Sequence, residues 1–169
     1  MAVKRISLQG LLALGETSEE ANSEIAESVR GLVGGATTSR NDYLRDEGLV
    51  ETCEHVGLLF EQESGEVAGY GYGWYEPGER WMEVFAAFVQ NPYRRQGIAM
   101  SLFREMISIG LSAGVTRFNV LFAEPNEARS ALREAILRFQ HVLPAQASMT
   151  VWYGGQVTKI QGSSREACI

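Results

Sequence analysis

The most informative segment of this chain reads Val84-Phe85-Ala86-Ala87-Phe88-Val89-Gln90-Asn91-Pro92-Tyr93-Arg94-Arg95-Gln96-Gly97-Ile98-Ala99. It begins with an apolar run typical of a buried strand and passes through a basic turn into a segment with helical spacing. Such a junction directs unpaired backbone N–H groups and the positive end of a helix at one point. That geometry binds phosphate, because the small residues at positions 97 and 99 let a pyrophosphate approach the backbone. The alternative is an ordinary strand-to-helix turn, which many α/β proteins contain.

Upstream of this segment the pattern changes to paired strands. Gly57 to Glu63 and Glu66 to Tyr75 are predicted strands joined by a turn at Ser64-Gly65, and Arg80 to Val89 is the third antiparallel strand. In the middle strand, glycine alternates with aromatic residues, in the order Gly69, Tyr70, Gly71, Tyr72, Gly73 and Trp74. One face is therefore aromatic and the other bare. A packed helix is the favoured neighbour of the bare face, with a ligand as the alternative.

The rest of the chain alternates helices and strands. Four helices are predicted: 18–32, a weaker pattern over 40–56, Ile98 to a stop at Gly114, and Pro125 to Leu137. Three further strands are predicted over Val3 to Leu8, Thr116 to Ala123 and Met149 to Tyr153. A polar tail follows the last of them. No repeat or linker divides these elements. We therefore predict a single mixed α/β domain over residues 1–169, built on one sheet.

Composition limits the class of protein. The chain has 169 residues and is 45% hydrophobic, which is enough for one continuous core. Its longest apolar runs are far shorter than the roughly 20 residues of a membrane-spanning helix. Cys53 and Cys168 are isolated, so they predict neither a disulfide framework nor a metal site. These features favour a cytoplasmic protein that does not enter a membrane.

Charge is distributed unevenly along the chain. Residues 1–80 contain 15 acidic and 6 basic residues, for a net charge of −9, whereas residues 81–169 contain 6 and 9, for a net charge of +3. An anionic ligand is expected at the second half and a cationic one at the first. Ordinary scatter of solvated charge is the alternative. The overall charge of −6 argues against nucleic-acid binding.

Arg94-x-x-Gly97-x-Ala99 resembles the Gln/Arg-x-x-Gly-x-Gly/Ala signature of the GNAT superfamily of N-acetyltransferases. The preceding Val89-x-x-x-Tyr93 is also similar, as are the later apolar strand and Asn126. The resemblance covers residues 56–137. It implies an α/β (α+β) fold with a mixed, mostly antiparallel sheet of about six or seven strands, flanked by helices on both faces. It also implies acetyl-CoA as co-substrate.

The resemblance assigns the cofactor contacts residue by residue. The CoA pyrophosphate is expected to bind the backbone amides of Gln96, Gly97, Ile98 and Ala99, with Arg94 and Arg95 nearby. The pantetheine arm is expected to contact main-chain groups of Phe88 and Val89, together with Asn126. A solvated arginine pair is the alternative for Arg94 and Arg95. An N-cap is the alternative for Asn126.

Acyl transfer from a thioester to an amine needs a base for the amine and an acid for the departing sulfur. Glu83 stands eleven residues before Arg94, the spacing of the general base in histone-acetylating relatives. Strand alternation predicts that Trp81, Phe85 and Ala87 share its face, and such apolar neighbours raise the pKa of a carboxyl group. A surface glutamate at a sheet edge is the alternative.

The acid is where the chain departs from the family. Many members have Tyr seven residues after the helix-opening Asn, and that position is Arg133 here. Tyr153 is our candidate acid, with His141 or a bound water as substitutes. The alternatives are a strand aromatic packed on the core for Tyr153 and a hydrogen-bonded polar residue for His141.

The acceptor is expected to contact the acidic first half of the chain. We therefore predict a primary amine, either a small cationic compound or a protein amine, with an aromatic amine against Tyr70, Tyr72 or Trp74 as the alternative. Two other functions remain: a catalytically silent CoA-binding regulatory domain, and a phosphate-binding scaffold without CoA. The glycine-rich strands and the last strand are compatible with a homodimer.

Overall fold

The computed structural model contains one seven-stranded sheet and four α-helices within residues 2–16, 22–34, 52–122 and 127–164, which are those it describes. The strands are β1 (Ala2–Ile6), β2 (Glu54–Glu61), β3 (Val67–Tyr75), β4 (Trp81–Val89), β5 (Arg117–Phe122), β6 (Ser148–Tyr153) and β7 (Gln156–Gln161). The helices are α1 (Leu8–Ala13), α2 (Ser23–Gly34), α3 (Ile98–Ser112) and α4 (Glu127–Leu137). The predicted mixed α/β fold on a single sheet is confirmed.

The strands follow one another across the sheet in chain order, from β1 to β7. Neighbouring strands are antiparallel except β4 with β5 and β5 with β6. Those two pairs are parallel because α3 and α4 carry the chain back to the starting edge of the sheet. The carboxyl ends of β4, β5 and β6 consequently lie at the same edge.

Helix α3 packs on the glycine face of β3. A Cβ built on Gly71 would lie 3.5 Å from Leu102 Cβ and 3.6 Å from Met106 Cε. The predicted explanation, helix packing against the bare face, is therefore confirmed. The buried stripe of α3 consists of Ile98, Leu102, Phe103, Met106, Ile107 and Gly110. The helix ends as predicted before Gly114, whose φ of +86° suits glycine.

Helices α1 and α2 pack on the opposite, aromatic face of β3. Leu11, Ile25 and Val29 form a second buried cluster with Tyr70 and Tyr72, apart from the larger core beneath α3. This places helices on both faces of the sheet, as the family resemblance implies. Among the residues that the structure describes, no helix is long and apolar enough to cross a membrane.

Three local predictions need correction or lie outside the described residues. The predicted helix over 40–56 is wrong at its end, because Glu54–Val56 belong to β2, while 35–51 lie outside the described residues. The segment after Tyr153, predicted as a polar tail, contains β7. Gly154 and Gly155, with φ of +53° and +79°, form the turn into that strand. Helix α1 was not predicted. The structure describes the predicted helix over 18–32 only from residue 22 onward, where α2 lies.

Candidate active site

Strands β4 and β5 separate at the centre of the sheet. Their pairing runs from Trp81 opposite Arg117 to Val84 opposite Val120. Beyond that point β4 continues beside β3, and β5 continues beside β6. A β-bulge marks the change: Gly73 lies opposite Val84 and the preceding Tyr72 lies opposite Ala86, so β4 has one extra residue there. A wedge-shaped opening with exposed strand edges results.

The edge of β4 at this opening presents main-chain groups of Val89. Gln90 N donates to Ala68 O at 3.0 Å, and Gly69 lies opposite Val89. This makes Gly69 and Val89 a non-hydrogen-bonded pair, so the N–H and C=O of Val89 point away from β3. By the same alternation those of Ala87 point into the opening, whereas those of Phe88 point at β3.

The start of α3 forms a backbone cradle close to this edge. Gly97 is the N-cap, in a left-handed conformation with φ of +77°, and a Cβ at this position would meet no atom within 4 Å. The first helical hydrogen bond runs from Ser101 N to Gly97 O at 3.0 Å. The amides of Ile98 and Ala99 precede that bond and need an acceptor from outside the helix.

Arg95 departs from the usual backbone conformations. Its φ is +65°, the one positive value at a non-glycine residue among those the structure describes. Such a conformation costs about 1 kcal/mol or more and concentrates at functional turns. Consecutive turns of this kind aim several N–H groups into one concavity that accepts anions. The strain at Arg95 therefore supports the phosphate-binding interpretation of this turn.

Two side chains hold the turn in place. Arg94 Nε donates to Val89 O at 2.9 Å, and its guanidinium lies 5.9 Å from the centre of the Phe88 ring. Gln96 Nε2 donates to Pro92 O at 3.3 Å. Arg94 thus joins the cradle to the open edge of β4, while Arg94 and Arg95 both remain exposed to an anion.

Two further contacts anchor the cradle to the rest of the fold, and sequence reasoning missed both. Asn91 donates to Glu24 of α2 through its backbone N and its Nδ2, each at 2.9 Å. A hydrogen bond with Glu66 raises the pKa of the Tyr93 hydroxyl. Glu24 and Asn91 are 67 positions apart, so no local pattern could have identified the pair.

Glu83 lies in the middle of a polar row that crosses the sheet. His55 lies opposite Trp74, Trp74 opposite Glu83, Glu83 opposite Asn119, and Asn119 opposite Thr150. Asn119 Nδ2 donates to Glu83 Oε1 at 3.2 Å, and Glu83 Oε2 is buried. The carboxylate is therefore oriented by an amide at the point where β4 and β5 begin to separate. Asn119 was not predicted, although a polar residue between apolar strand positions was a signal for it.

The bulge changes which residues share the face of Glu83. Trp81 lies two residues before Glu83 on the same face, as predicted. Ala87, predicted to share that face, instead lies opposite Gly71 on the side of α3. The extra residue in β4 inverts the alternation beyond the bulge. Phe88 correspondingly joins the cluster beneath α1 and α2.

Aromatic side chains surround Glu83 on this face. The Trp74 and Trp81 rings meet edge to face, with centroids 5.0 Å apart and planes at 76°. His55 Nδ1 and the Tyr72 hydroxyl are hydrogen-bonded at 2.8 Å. Burial raises the pKa of Tyr72, so this hydroxyl stays protonated at any physiological pH.

The candidate acids occupy different places. Tyr153 lies at the end of β6, in edge contact with Phe122, and its ring centre is 5.4 Å from the Arg133 guanidinium. Arg133 also donates to Glu134 and to Thr158. His141 is exposed in the short helical turn Arg138–His141, which follows the far end of α4, away from the opening.

Asn126, predicted to contact the pantetheine arm, lies outside the described residues.

Comparisons with known proteins show what this chain is similar to. A family model described as "Acetyltransferase (GNAT) family" matches residues 25–134. The sequence matches no curated protein. Three similar solved structures are the aminoglycoside N-acetyltransferase AAC(6')-Iy in complex with CoA, an integron cassette protein from V. cholerae, and an aminoglycoside acetyltransferase from an uncultured soil metagenomic sample. The CoA complex is 15% identical to this chain, with a TM-score of 0.50, and the match covers 80% of this chain and 89% of that one. The cassette protein is 18% identical, with a TM-score of 0.52 and coverage of 80% and 83%. The metagenomic enzyme is 22% identical, with a TM-score of 0.50 and coverage of 79% and 86%.

Proposed function

The chain belongs to the GNAT family of acetyltransferases, and from that membership we propose that it moves an acetyl group from acetyl-CoA directly to a primary amine. The observation that carries the proposal is the backbone cradle at Gly97, joined through Arg94 to the open edge of β4. One end of this continuous surface suits a pyrophosphate, and the other suits an amide-containing chain.

The described residues fit CoA. Gly97 leaves open space where a side chain would project, and the amides of Ile98 and Ala99 face outward from the start of α3. Arg94 and Arg95 add positive charge for the phosphates. At the open edge, Val89 and Ala87 present main-chain groups that suit the pantetheine amides. Ala87 takes the place predicted for Phe88, because the main-chain groups of Phe88 point at β3. The predicted contribution of Asn126 belongs to the same proposal.

Glu83 is the proposed base. Acetyl-CoA supplies an acetyl group activated as a thioester. The amine nitrogen forms a bond to the acetyl carbon as the C–S bond breaks, and Glu83 accepts the proton that the nitrogen loses. Asn119 holds the carboxylate through Oε1, which positions the group beside the opening.

Tyr153 remains the candidate donor for the departing sulfur. Its hydroxyl-bearing ring lies next to Phe122 at the end of β5, on the side of the sheet that carries α3 and α4. The Arg133 guanidinium beside the ring places a positive charge near this side of the opening. A cation there favours negative charge on the sulfur, even without a tyrosine at position 133.

The proposed acceptor is a cationic amine. Its supports are the net charge of −9 over residues 1–80 and the two indole side chains beside the Glu83 carboxylate. Aminoglycosides, the substrates that the names of two similar structures indicate, belong to the same chemical class. The amine-facing side of the sheet is also the side of α1 and α2.

A thermal-shift titration with acetyl-CoA tests the proposal. At a ligand concentration about 100 times Kd, wild-type protein should gain about 5–10 °C in Tm. Gly97→Glu places a carboxylate in the cradle and should abolish the gain. Gly114→Glu is the matched control, because Gly114 has a similar φ of +86°, has no atom within 4 Å of its added Cβ, and lies at the opposite end of α3.

The outcomes separate the competing functions. Stabilisation that survives in Gly114→Glu but is lost in Gly97→Glu, together with acetylation of a panel of amines, supports the enzyme. The same binding without turnover of any amine supports a silent CoA-binding domain. No stabilisation of folded wild-type protein overturns the CoA site.

A further inference from the structure

The indole pair beside Glu83 has no part in the acetyl-transfer chemistry proposed above. Trp74 lies directly across from Glu83 on β3, and Trp81 lies two residues before Glu83 on β4. The two rings are in contact, with centroids 5.0 Å apart. Both side chains are partly buried.

This pair is less buried than the two tyrosines on the same sheet face, although Trp74 also packs against their cluster. Tyr70 and Tyr72 are 1% exposed and bond to Ser28 and His55, which commits them to the packing beneath α1 and α2. The tryptophans lie nearer the hairpin between β3 and β4, where Glu76 and Glu79 are exposed. A positive group is attracted to an indole face and to these carboxylates. The exposed Arg80 and Arg117, the latter opposite Trp81 on β5, offset the charge of the two carboxylates, so the indole faces carry the attraction.

We propose that Trp74 and Trp81 form a cation subsite that selects acceptors with a second, non-reacting ammonium group. The inference rests on the proposed function, because it assigns Glu83 to the reacting amine. That amine must be neutral when it attacks, so the same nitrogen cannot supply the cation that the indoles bind. A diamine or polyamine satisfies both requirements in one molecule.

The spacing of the residues sets the expected length of the acceptor. Two residues along a strand span about 6.6 Å, which separates the Cα atoms of Trp81 and Glu83. A four-carbon chain between two amino groups has about the same length. Acceptors with two amino groups about four carbon atoms apart should therefore place one nitrogen at Glu83 and the other at the indole pair.

A pair of acceptors of equal length tests the subsite. 1,4-Diaminobutane carries the second ammonium group, and 4-amino-1-butanol replaces it with a neutral hydroxyl. For wild-type enzyme we expect kcat/KM to favour the diamine by about tenfold or more, the range of a partly desolvated cation–π contact. Calorimetric titration of each compound without acetyl-CoA should show the same preference in Kd.

Substitutions of the two tryptophans test which side chains cause the preference for the diamine. Trp81→Leu and Trp74→Leu remove a π face and should bring the two acceptors to within about threefold of each other. Trp81→Phe retains an aromatic face and should retain most of the preference. Circular dichroism checks folding, and if Trp74→Leu does not fold, the comparison of Trp81→Leu with Trp81→Phe decides the question.

Two results would overturn the subsite: equal binding of diamine and amino alcohol by wild-type protein, or a preference that persists in Trp81→Leu. The calorimetric measurement needs no turnover. Failure of the acetyltransferase proposal, seen as loss of acetyl-CoA binding, is therefore distinguishable from failure of the subsite.

Discussion

On one face of β3, glycines bring α3 into contact with the sheet, whereas on the other face Tyr70, Tyr72 and Trp74 cover the strand. On the glycine face, a Cβ on Gly73 would lie 3.1 Å from Met106 Sδ of α3 and 2.6 Å from the backbone Glu83 O of the neighbouring β4. The aromatic face changes along its length, from fully buried Tyr70 to partly buried Trp74. One strand therefore combines a surface specialised for packing with one that becomes progressively accessible.

The difference between the faces separates two tasks. Close packing on the glycine face fixes where α3 begins, and with it the position of the Gly97 cradle relative to the edge of β4. On the other side of the sheet, Asn119 orients Glu83, and polar and aromatic side chains lie beside the opening. Substitutions on the glycine face should therefore act mainly through stability, and those near Glu83 mainly through the reaction.

The largest expected effect comes from Glu83→Gln on the aromatic face. Loss of the proposed base should lower kcat by about 100-fold or more, with little change in the KM for acetyl-CoA. Steady-state kinetics with a saturating amine measures this, and the unfolding transition should stay close to that of wild type. Asn119→Ala, which removes only the orienting amide, should cost less. A kcat within about threefold of wild type would reject Glu83 as the base.

The next effect belongs to the glycine face. Gly73→Ala would place Cβ 2.6 Å from Glu83 O of β4 and 3.1 Å from Met106 Sδ of α3, so the strands must shift. We expect a loss of about 2–3 kcal/mol in the free energy of unfolding. Gly71→Ala is the matched control, because its nearest atom would be Leu102 Cβ at an ordinary 3.5 Å. Urea denaturation of both variants decides the matter, and equal losses would contradict this account of the face.

Much of this two-faced strand could be predicted from the sequence. Alternation of glycine with aromatic residues is local information, and the same is true of the apolar stripe of α3 and the Gly97 junction. These features depend on residues a few positions apart. Their predicted positions agree with the structure to within a few residues.

Features set by distant residues could not be predicted in this way. The bulge in β4 depends on the register between β4 and β3. Because of it, Ala87 lies on the opposite face of the sheet from Glu83. Strand β7 was missed because Ile160 is its one buried residue, too little for a hydrophobic pattern, although Gly154-Gly155 was an available turn signal. The carboxylate partner of Asn91 and the amide partner of Glu83 likewise come from other elements.

A third prediction concerns the buried end of the aromatic face. Desolvation raises the pKa of Tyr70 from 10.0 to about 12, with a smaller opposing effect from the Ser28 hydrogen bond. The folded state therefore holds this proton more tightly than the unfolded chain does. The resulting stability is fully present below pH 10.0 and is lost as the pH rises through about 12.

Tyr70→Phe tests this dependence. The variant lacks the ionisable group. Across that alkaline range the free energy of unfolding of wild type should therefore fall by roughly 2–3 kcal/mol more than that of the variant. At neutral pH it should lose about 1 kcal/mol with the Ser28 bond. Urea denaturation at several alkaline pH values measures both quantities. Parallel stability curves for the two proteins would show that Tyr70 does not supply the pH dependence.

The smallest expected effect tests the link between the two faces. Glu24 belongs to α2 on the aromatic side, and it accepts two hydrogen bonds from Asn91, at the start of the turn that leads to α3. Glu24→Gln leaves one acceptor oxygen in place of two, at an exposed site, so we expect a loss of about 0.5–1.5 kcal/mol. Because the turn carries the cradle, affinity for CoA should fall by about two- to fivefold in calorimetric titration. Glu27→Gln, an exposed glutamate on the same helix, is the control. If both variants bind CoA like wild type, α2 supports the sheet without positioning the cradle.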